Sequence, residues 1–320
     1  MNLSWKYLLW AFALTWVVWI PGTHLHAGEM IPTFGAAGPA LAAMWVARAR
    51  DKASPQGRRR MGTFAVAALA ALTVLEILPP GVPALQWPVR WDPWAIVLAI
   101  LVGWIASAAW SSDGGIRALM GRLLIPTSWQ WTAVAMLAIP AYLLLPAAIA
   151  RVAGWPVVAP PHPNGYAALV WLAVFLFARN LLLTAVLEEP GWRGTLLRHL
   201  QEKRSPLTAS LLVWLPWMLW HLPLDLTGGA AHTLAGWLQI RVIFLIPMTI
   251  LLTWIYNHSG GSLFCTAVFH AALNTFPFVL PRSRPMLGLV FVWAIWVVIQ
   301  DRMWRREYAA AESTQLRRYV

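Results

Sequence analysis

Residues 167–193 read AALVWLAVFLFARNLLLTAVLEEPGWR. From Ala167 to Leu187 only Arg179 is charged, and the run is long enough to cross a bilayer, for which about 20 apolar residues suffice. It ends on two adjacent carboxylates, Glu188 and Glu189, followed by Pro190, Gly191, Trp192 and Arg193. Ionisable groups on a helix made for lipid are costly and are functional candidates by default. That combination governs the reading of the rest.

The remainder of the chain has the same character. Of 320 residues, 59% are hydrophobic and 11% charged, with a mean hydropathy of +0.61. A soluble domain carries about 25% charged residues, so an ordinary soluble protein is excluded, as is a disordered chain. A single cysteine, Cys265, excludes a disulfide framework. Apolar runs separated by polar or Pro/Gly punctuation lie at 8–20, 34–47, 63–78, 94–110, 131–150, 166–187, 207–222, 237–256, 262–280 and 286–299. They predict an all-α, polytopic transmembrane bundle of about ten spans.

Charge sets the orientation. With the N-terminus inside, 18 of the 24 Lys and Arg fall in inner segments and four (Arg90, Arg151, Arg282, Arg284) in outer ones. This obeys the positive-inside rule and puts both termini in the cytoplasm. It also accounts for most of the net charge of +12 without a nucleic-acid partner. Lys6 and the apolar run after it resemble a signal peptide, but His26-Ala27-Gly28 is a poor cleavage pattern, so the run reads as a retained helix. The terminal Arg318-Tyr319-Val320 is not a CaaX box. Many of the 23 tryptophans, such as Trp94, Trp110 and Trp131, stand near span ends and read as an interfacial belt. The chain divides into N-terminal transmembrane helices with a basic cytoplasmic loop (1–128), a core carrying the polar motifs (129–285), and a last helix with a basic tail (286–320).

Three polar clusters interrupt the apolar runs. Glu189 and Arg193 are four residues apart and face one another on a helix, leaving Glu188 about 100° away. Trp217 and His221 form an aromatic-x-x-x-His pair. His270 and Asn274 share one face of a third helix. Each cluster alone also reads as packing: a structural ion pair, a core histidine, an interhelical hydrogen bond. Depth links them. If the helix of Glu188 continues past Pro190 to a turn near Lys203–Pro206, Glu188 and His221 both lie about 23 Å from that turn at about 1.5 Å per residue. His270 and Asn274 fall within a couple of turns of the same level, so three helices can converge on one cavity. Arg179, Arg241 and Glu76 would serve a transporter as a polar path, but no broken-helix repeat supports one. Glu76, beside Pro79-Pro80, reads as interfacial.

A carboxylate, two imidazoles and an amide are a hydrolase's inventory. The glutamate can take a proton from water. One histidine can hold that water or bind a metal that does. The other histidine and the amide can donate to the oxyanion of a tetrahedral intermediate. No His-Glu-x-x-His signature, paired aspartates or serine-nucleophile site is present.

Glu-Glu-x-x-x-Arg at 188–193, aromatic-x-x-x-His at 217–221 and His-x-x-x-Asn at 270–274 resemble, in this order, the three motifs of the CPBP family. That family groups CAAX proteases with bacteriocin-processing enzymes and includes the type II CAAX prenyl endopeptidases. Gly38-Pro39-Ala40-Leu41-Ala42-Ala43 is similar to an N-terminal helix signature of bacterial members. The resemblance is specific over 167–278. It implies an eight-helix core, to which the pair of helices at 63–110 is additional. It also implies an intramembrane endopeptidase of a bacterial cytoplasmic membrane, acting on membrane-associated protein or peptide substrates. Carried over by position, Glu188 would activate water, His221 would assist, and His270 and Asn274 would form the oxyanion site. Glu189, Arg193 and Trp217 would brace them. The glutamate mechanism needs no cofactor; a divalent metal such as zinc, if used, would sit on Glu188, His221 and His270. A non-catalytic immunity or scaffold protein of the same fold is the alternative.

Overall fold

The computed structural model describes residues 2–25, 31–48, 56–77, 93–124, 126, 128–160, 165–227, 231–283 and 285–306. Arg90, Arg284, the His26-Ala27-Gly28 pattern, Pro79-Pro80 and the basic tail from residue 307 onward lie outside them. Eleven helices of eight residues or more are found among the described residues. They are α1 (Leu3–His24), α2 (Ile31–Ala47, with a turn at Ala37), α3 (57–77), α4 (Pro93–Trp110), α5 (Gly114–Leu124), α6 (Trp129–Val152), α7 (Tyr166–Gln201), α8 (Pro206–Trp220), α9 (Leu234–His258), α10 (Leu263–Val279) and α11 (Pro285–Gln300).

Five of these (α1, α4, α6, α7 and α9) are long and apolar enough to cross a membrane, and α2, α8, α10 and most of α11 are shorter apolar helices. Large apolar side chains stand exposed on the outside of the bundle, with Leu69 at 64%, Leu137 at 62%, Val170 at 63% and Ile295 at 55%. Such a surface is stable only against lipid, so this is an integral membrane protein with an all-α fold. Exposed Trp5, Trp94, Trp129, Trp155 and Trp304 lie at or beside helix ends, as an interfacial belt requires.

Each of the ten apolar runs falls on one of these helices. The eleventh, α5, occupies an expected loop; Leu119, Met120 and Leu123 bury one face of it, a helical spacing too short to read as a span. Helix starts follow local chemistry. Ser128, Ser205 and Ser262 accept with their hydroxyl oxygens from the backbone N–H groups of Trp131, Thr208 and Cys265, at 3.3, 3.3 and 3.2 Å. Pro206 opens α8, where its missing N–H costs nothing. Gly260 and Gly261, at φ 67° and 75°, end the helical path after α9.

The core is built from small residues. Helix α2 lies between α1 and the 186–191 segment of α7, and Ala36, Ala37, Ala40, Ala42 and Ala43 of α2 are all buried. A Cβ on Gly38 would come within 2.2 Å of the Thr15 hydroxyl, and one on Gly191 within 2.7 Å of the Pro39 carbonyl oxygen. Lipid tails are as apolar as leucine, so close backbone approach is what holds these helices together. Helix α10 packs against both α6 and the first half of α7. A two-residue antiparallel strand pair, Val157–Val158 with Arg282–Ser283, ties the far end of α6 to the start of α11.

Candidate active site

Helix α7 carries the carboxylates. It continues through Pro190, as the depth argument from the sequence requires. Wide π-helical turns at Leu181–Ala185 and Trp192–Leu197 flank a single α-helical stretch, Val186–Gly191. Pro190 has no N–H to give the ladder, and the Thr195 hydroxyl donates to its carbonyl oxygen at 3.0 Å. Such turns are frequent at functional sites. The widened path leaves Glu188, Glu189 and Arg193 all buried, at 3%, 0% and 0% exposure.

The expected pair forms. Arg193 Nη1 donates to Glu189 Oε1 at 3.0 Å. The same oxygen stands 2.7 Å from Nδ1 of His270 on α10. Glu188, turned away, accepts at Oε2 from the indole N–H of Trp217 on α8, at 3.0 Å. The Trp217 ring then meets the other clusters. His221 lies 6.1 Å from its centroid, His270 5.5 Å in a T-shaped contact, and the Arg193 guanidinium caps it at 4.3 Å. One indole thus touches residues of all three motifs.

His221 stands at the junction between α8 and a one-turn helix, Leu222–Asp225. The expected span to residue 222 is therefore two residues too long. Pro223 removes the donor for the Leu219 carbonyl, and the chain tightens, with the His221 N–H bonding Met218 at 3.3 Å. The Trp217 carbonyl takes its bond from the ring instead, at 2.8 Å from His221 Nδ1. A carbonyl only accepts, so Nδ1 carries the proton and Nε2 of the neutral ring keeps a lone pair. Asn274 is half-buried, with no side-chain hydrogen bond among the described residues. Its backbone is braced: the Asn180 amide donates to the Asn274 carbonyl at 3.2 Å and to the Thr275 hydroxyl at 3.0 Å.

Among the described residues no group of three His, Cys, Asp or Glu side chains could hold a metal ion. The Nδ1 atoms of His270 and His221 are bonded to Glu189 and to a carbonyl, so a metal would meet each ring through Nε2.

Three polar contributions escape sequence reading. Asn180, unmarked in an apolar run, braces Asn274. Asp225, which reads as a loop acid, is 4% exposed and clasps Arg241 with two bonds at 2.8 and 2.7 Å. This makes Arg241 a paired structural cation, not an open polar path. Glu76, expected at an interface, is buried at 7% exposure. Only partners supplied by distant elements separate Asn180 and Asp225 from ordinary residues.

Residues 170–276 match the family model "Type II CAAX prenyl endopeptidase Rce1-like". The chain is similar to a CAAX prenyl protease 2 from Methanococcus maripaludis, 28% identical over 131 residues, which covers 38% of this chain and 48% of that protein. The chain thus spans about half the length of the curated relative it matches.

Proposed function

We propose that this chain, whose residues 170–276 match the Rce1-like type II CAAX prenyl endopeptidase model, belongs to that family and is a CAAX-type intramembrane endopeptidase cleaving membrane-associated protein or peptide substrates. One observation carries the reading most. A single indole, Trp217, bonds Glu188 and contacts both His221 and His270, so the base and both imidazoles sit around one point.

In this reading a water lies between Glu188 and the lone pair of His221 Nε2. Glu188 takes one proton as the oxygen attacks the scissile carbonyl carbon. The carbonyl oxygen becomes an oxyanion, which accepts from His270 Nε2–H and the Asn274 amide. Because His270 Nδ1 already serves Glu189, Nε2 can donate only from the imidazolium form. Two carboxylates beside Arg193 and that imidazolium balance to zero charge, as a buried site requires. Collapse of the intermediate breaks the C–N bond, and the proton held by Glu188 passes to the leaving amine. Glu189 and Arg193 hold His270 and the Trp217 ring in place.

The test compares purified protein with a Glu188→Ala variant on a quenched fluorogenic peptide library in detergent. Turnover by the wild type that falls by about a hundredfold or more in the variant is expected. Equal turnover in both, or none in either, overturns the reading in favour of a non-catalytic membrane protein. A chelator leaves the rate unchanged where Glu188 alone activates water.

A further inference from the structure

Tyr7, on α1, stands 181 positions before Glu188 in the chain, outside every motif and outside the family match. Its side chain is fully buried at 0% exposure. The ring packs edge-on against Trp192, the neighbour of Arg193, with centroids 5.7 Å apart. Its hydroxyl oxygen is seated on Gly191, so close that a Cβ there would come within 2.4 Å of it. Gly191 follows Glu188 by three residues on one α-helical stretch, so the hydroxyl seated on Gly191 stands one turn along the same face from that carboxylate.

A buried hydroxyl is almost always hydrogen-bonded, yet among the described residues this one has no direct protein partner. Nor have Nε and Nη2 of the equally buried Arg193. The chemistry of these atoms is complementary. A phenol donates one hydrogen bond and accepts others, a guanidinium only donates, and a carboxylate only accepts. A pure packing residue needs no hydroxyl here, since phenylalanine would fill the same space against Trp192 and Gly191.

We propose that Tyr7 is a positioning residue of the active site, whose hydroxyl donates through one bridging water to the Glu188 carboxylate from the side opposite the reacting carbonyl. This rests on the endopeptidase reading. The bond completes the hold on Glu188, whose Oε2 already accepts from Trp217. It makes α1 part of the site, and it gives the Gly191 of Glu-Glu-Pro-Gly a reason: only glycine lets the hydroxyl approach. The other ionisable groups around Glu188 are Glu189 and Arg193 on its own helix, His270 on α10 and His221 at the end of α8. Residues 31–47 of α2 bring none.

The decisive variant is Tyr7→Phe, which removes one oxygen and keeps the ring. We expect kcat to fall about tenfold or more, as loss of a hydrogen bond to a charged group implies, with KM within twofold and the melting temperature in detergent unchanged. Unchanged kcat overturns the proposal, and so does a fall in melting temperature with no effect on kcat. A second readout needs no turnover. The infrared carboxylate band of Glu188, identified by its loss in Glu188→Gln, shifts in Tyr7→Phe if the phenol is bound to that carboxylate, and stays in place if the proposal is wrong. Wild-type protein without peptidase activity would refute the endopeptidase reading, while this band would still decide the role of Tyr7. Fluorotyrosine at position 7, which keeps the shape and strengthens the donor, should shift the band opposite to Tyr7→Phe; no shift counts against the proposal.

Discussion

Two of the arginine–carboxylate pairs among the described residues, Asp225–Arg241 and Glu189–Arg193, are built differently. Asp225 and Arg241 come from separate elements, meet through two parallel bonds of 2.7 and 2.8 Å, and keep 4% and 17% of their side chains exposed. The Arg241 carbonyl also accepts from Trp214 at 2.8 Å. Glu189 and Arg193 share one helix, meet through a single 3.0 Å bond, and are 0% exposed. Their carboxylate oxygen is shared with His270, and two of the arginine's nitrogens lack a direct protein partner among the described residues. The first pair satisfies itself, as a bidentate clamp does. The second leaves capacity over, on Arg193 Nε and Nη2 and on Glu189 Oε2. On the proposed function, the incompletely satisfied pair is the one that serves chemistry.

The largest effect should come from breaking the second pair. Arg193→Met leaves Glu189 charged and buried, and should cost about 3–5 kcal/mol and abolish turnover; thermal melting in detergent and the peptide assay check both. The double variant Glu189→Leu with Arg193→Met sharpens the contrast. It should recover most of the stability, since apolar replacements of buried pairs are often neutral, and still be inactive. The matching double variant of the clamp, Asp225→Leu with Arg241→Met, should keep both stability and turnover within a few-fold. If the clamp's double variant is as dead as the other, the distinction fails.

Smaller effects follow. Gly191→Ala forces a Cβ toward the Pro39 carbonyl and the Tyr7 hydroxyl, and should destabilise by about 1–3 kcal/mol through overpacking, measured by melting. Asn180→Ala leaves the Thr275 hydroxyl unpaired and the Asn274 backbone less constrained. It should cost about 1 kcal/mol and lower kcat several-fold more than it changes KM, in the same peptide assay.

Much of this was readable in the chain. Ten apolar runs found ten helices, because a membrane leaves the backbone no other way to satisfy itself. Glu189 and Arg193 could be paired from their spacing of four, and Glu188 and the two histidines could be brought to one level by counting rise. The boundary at His221 was two residues off because a proline at 223 acts on the carbonyls before it. Helix α5 was missed because its buried face is only a few residues long. Asn180 and Asp225 are illegible for a different reason: each is an ordinary residue whose importance comes from a partner on another element.

The sequence by itself therefore determined the medium, the secondary structure and the inventory of reactive groups, since these depend on local composition and on periodicity along single helices. Only the tertiary structure decided which oxygen of which carboxylate meets which nitrogen. It alone shows that Trp217 joins the three motifs, that the His221 Nδ1 serves a backbone carbonyl, and that a tyrosine from the first helix packs on Trp192 and Gly191. The physical reason is that hydrogen bonds act over about 3 Å, and no spacing rule along one helix carries that precision across to another.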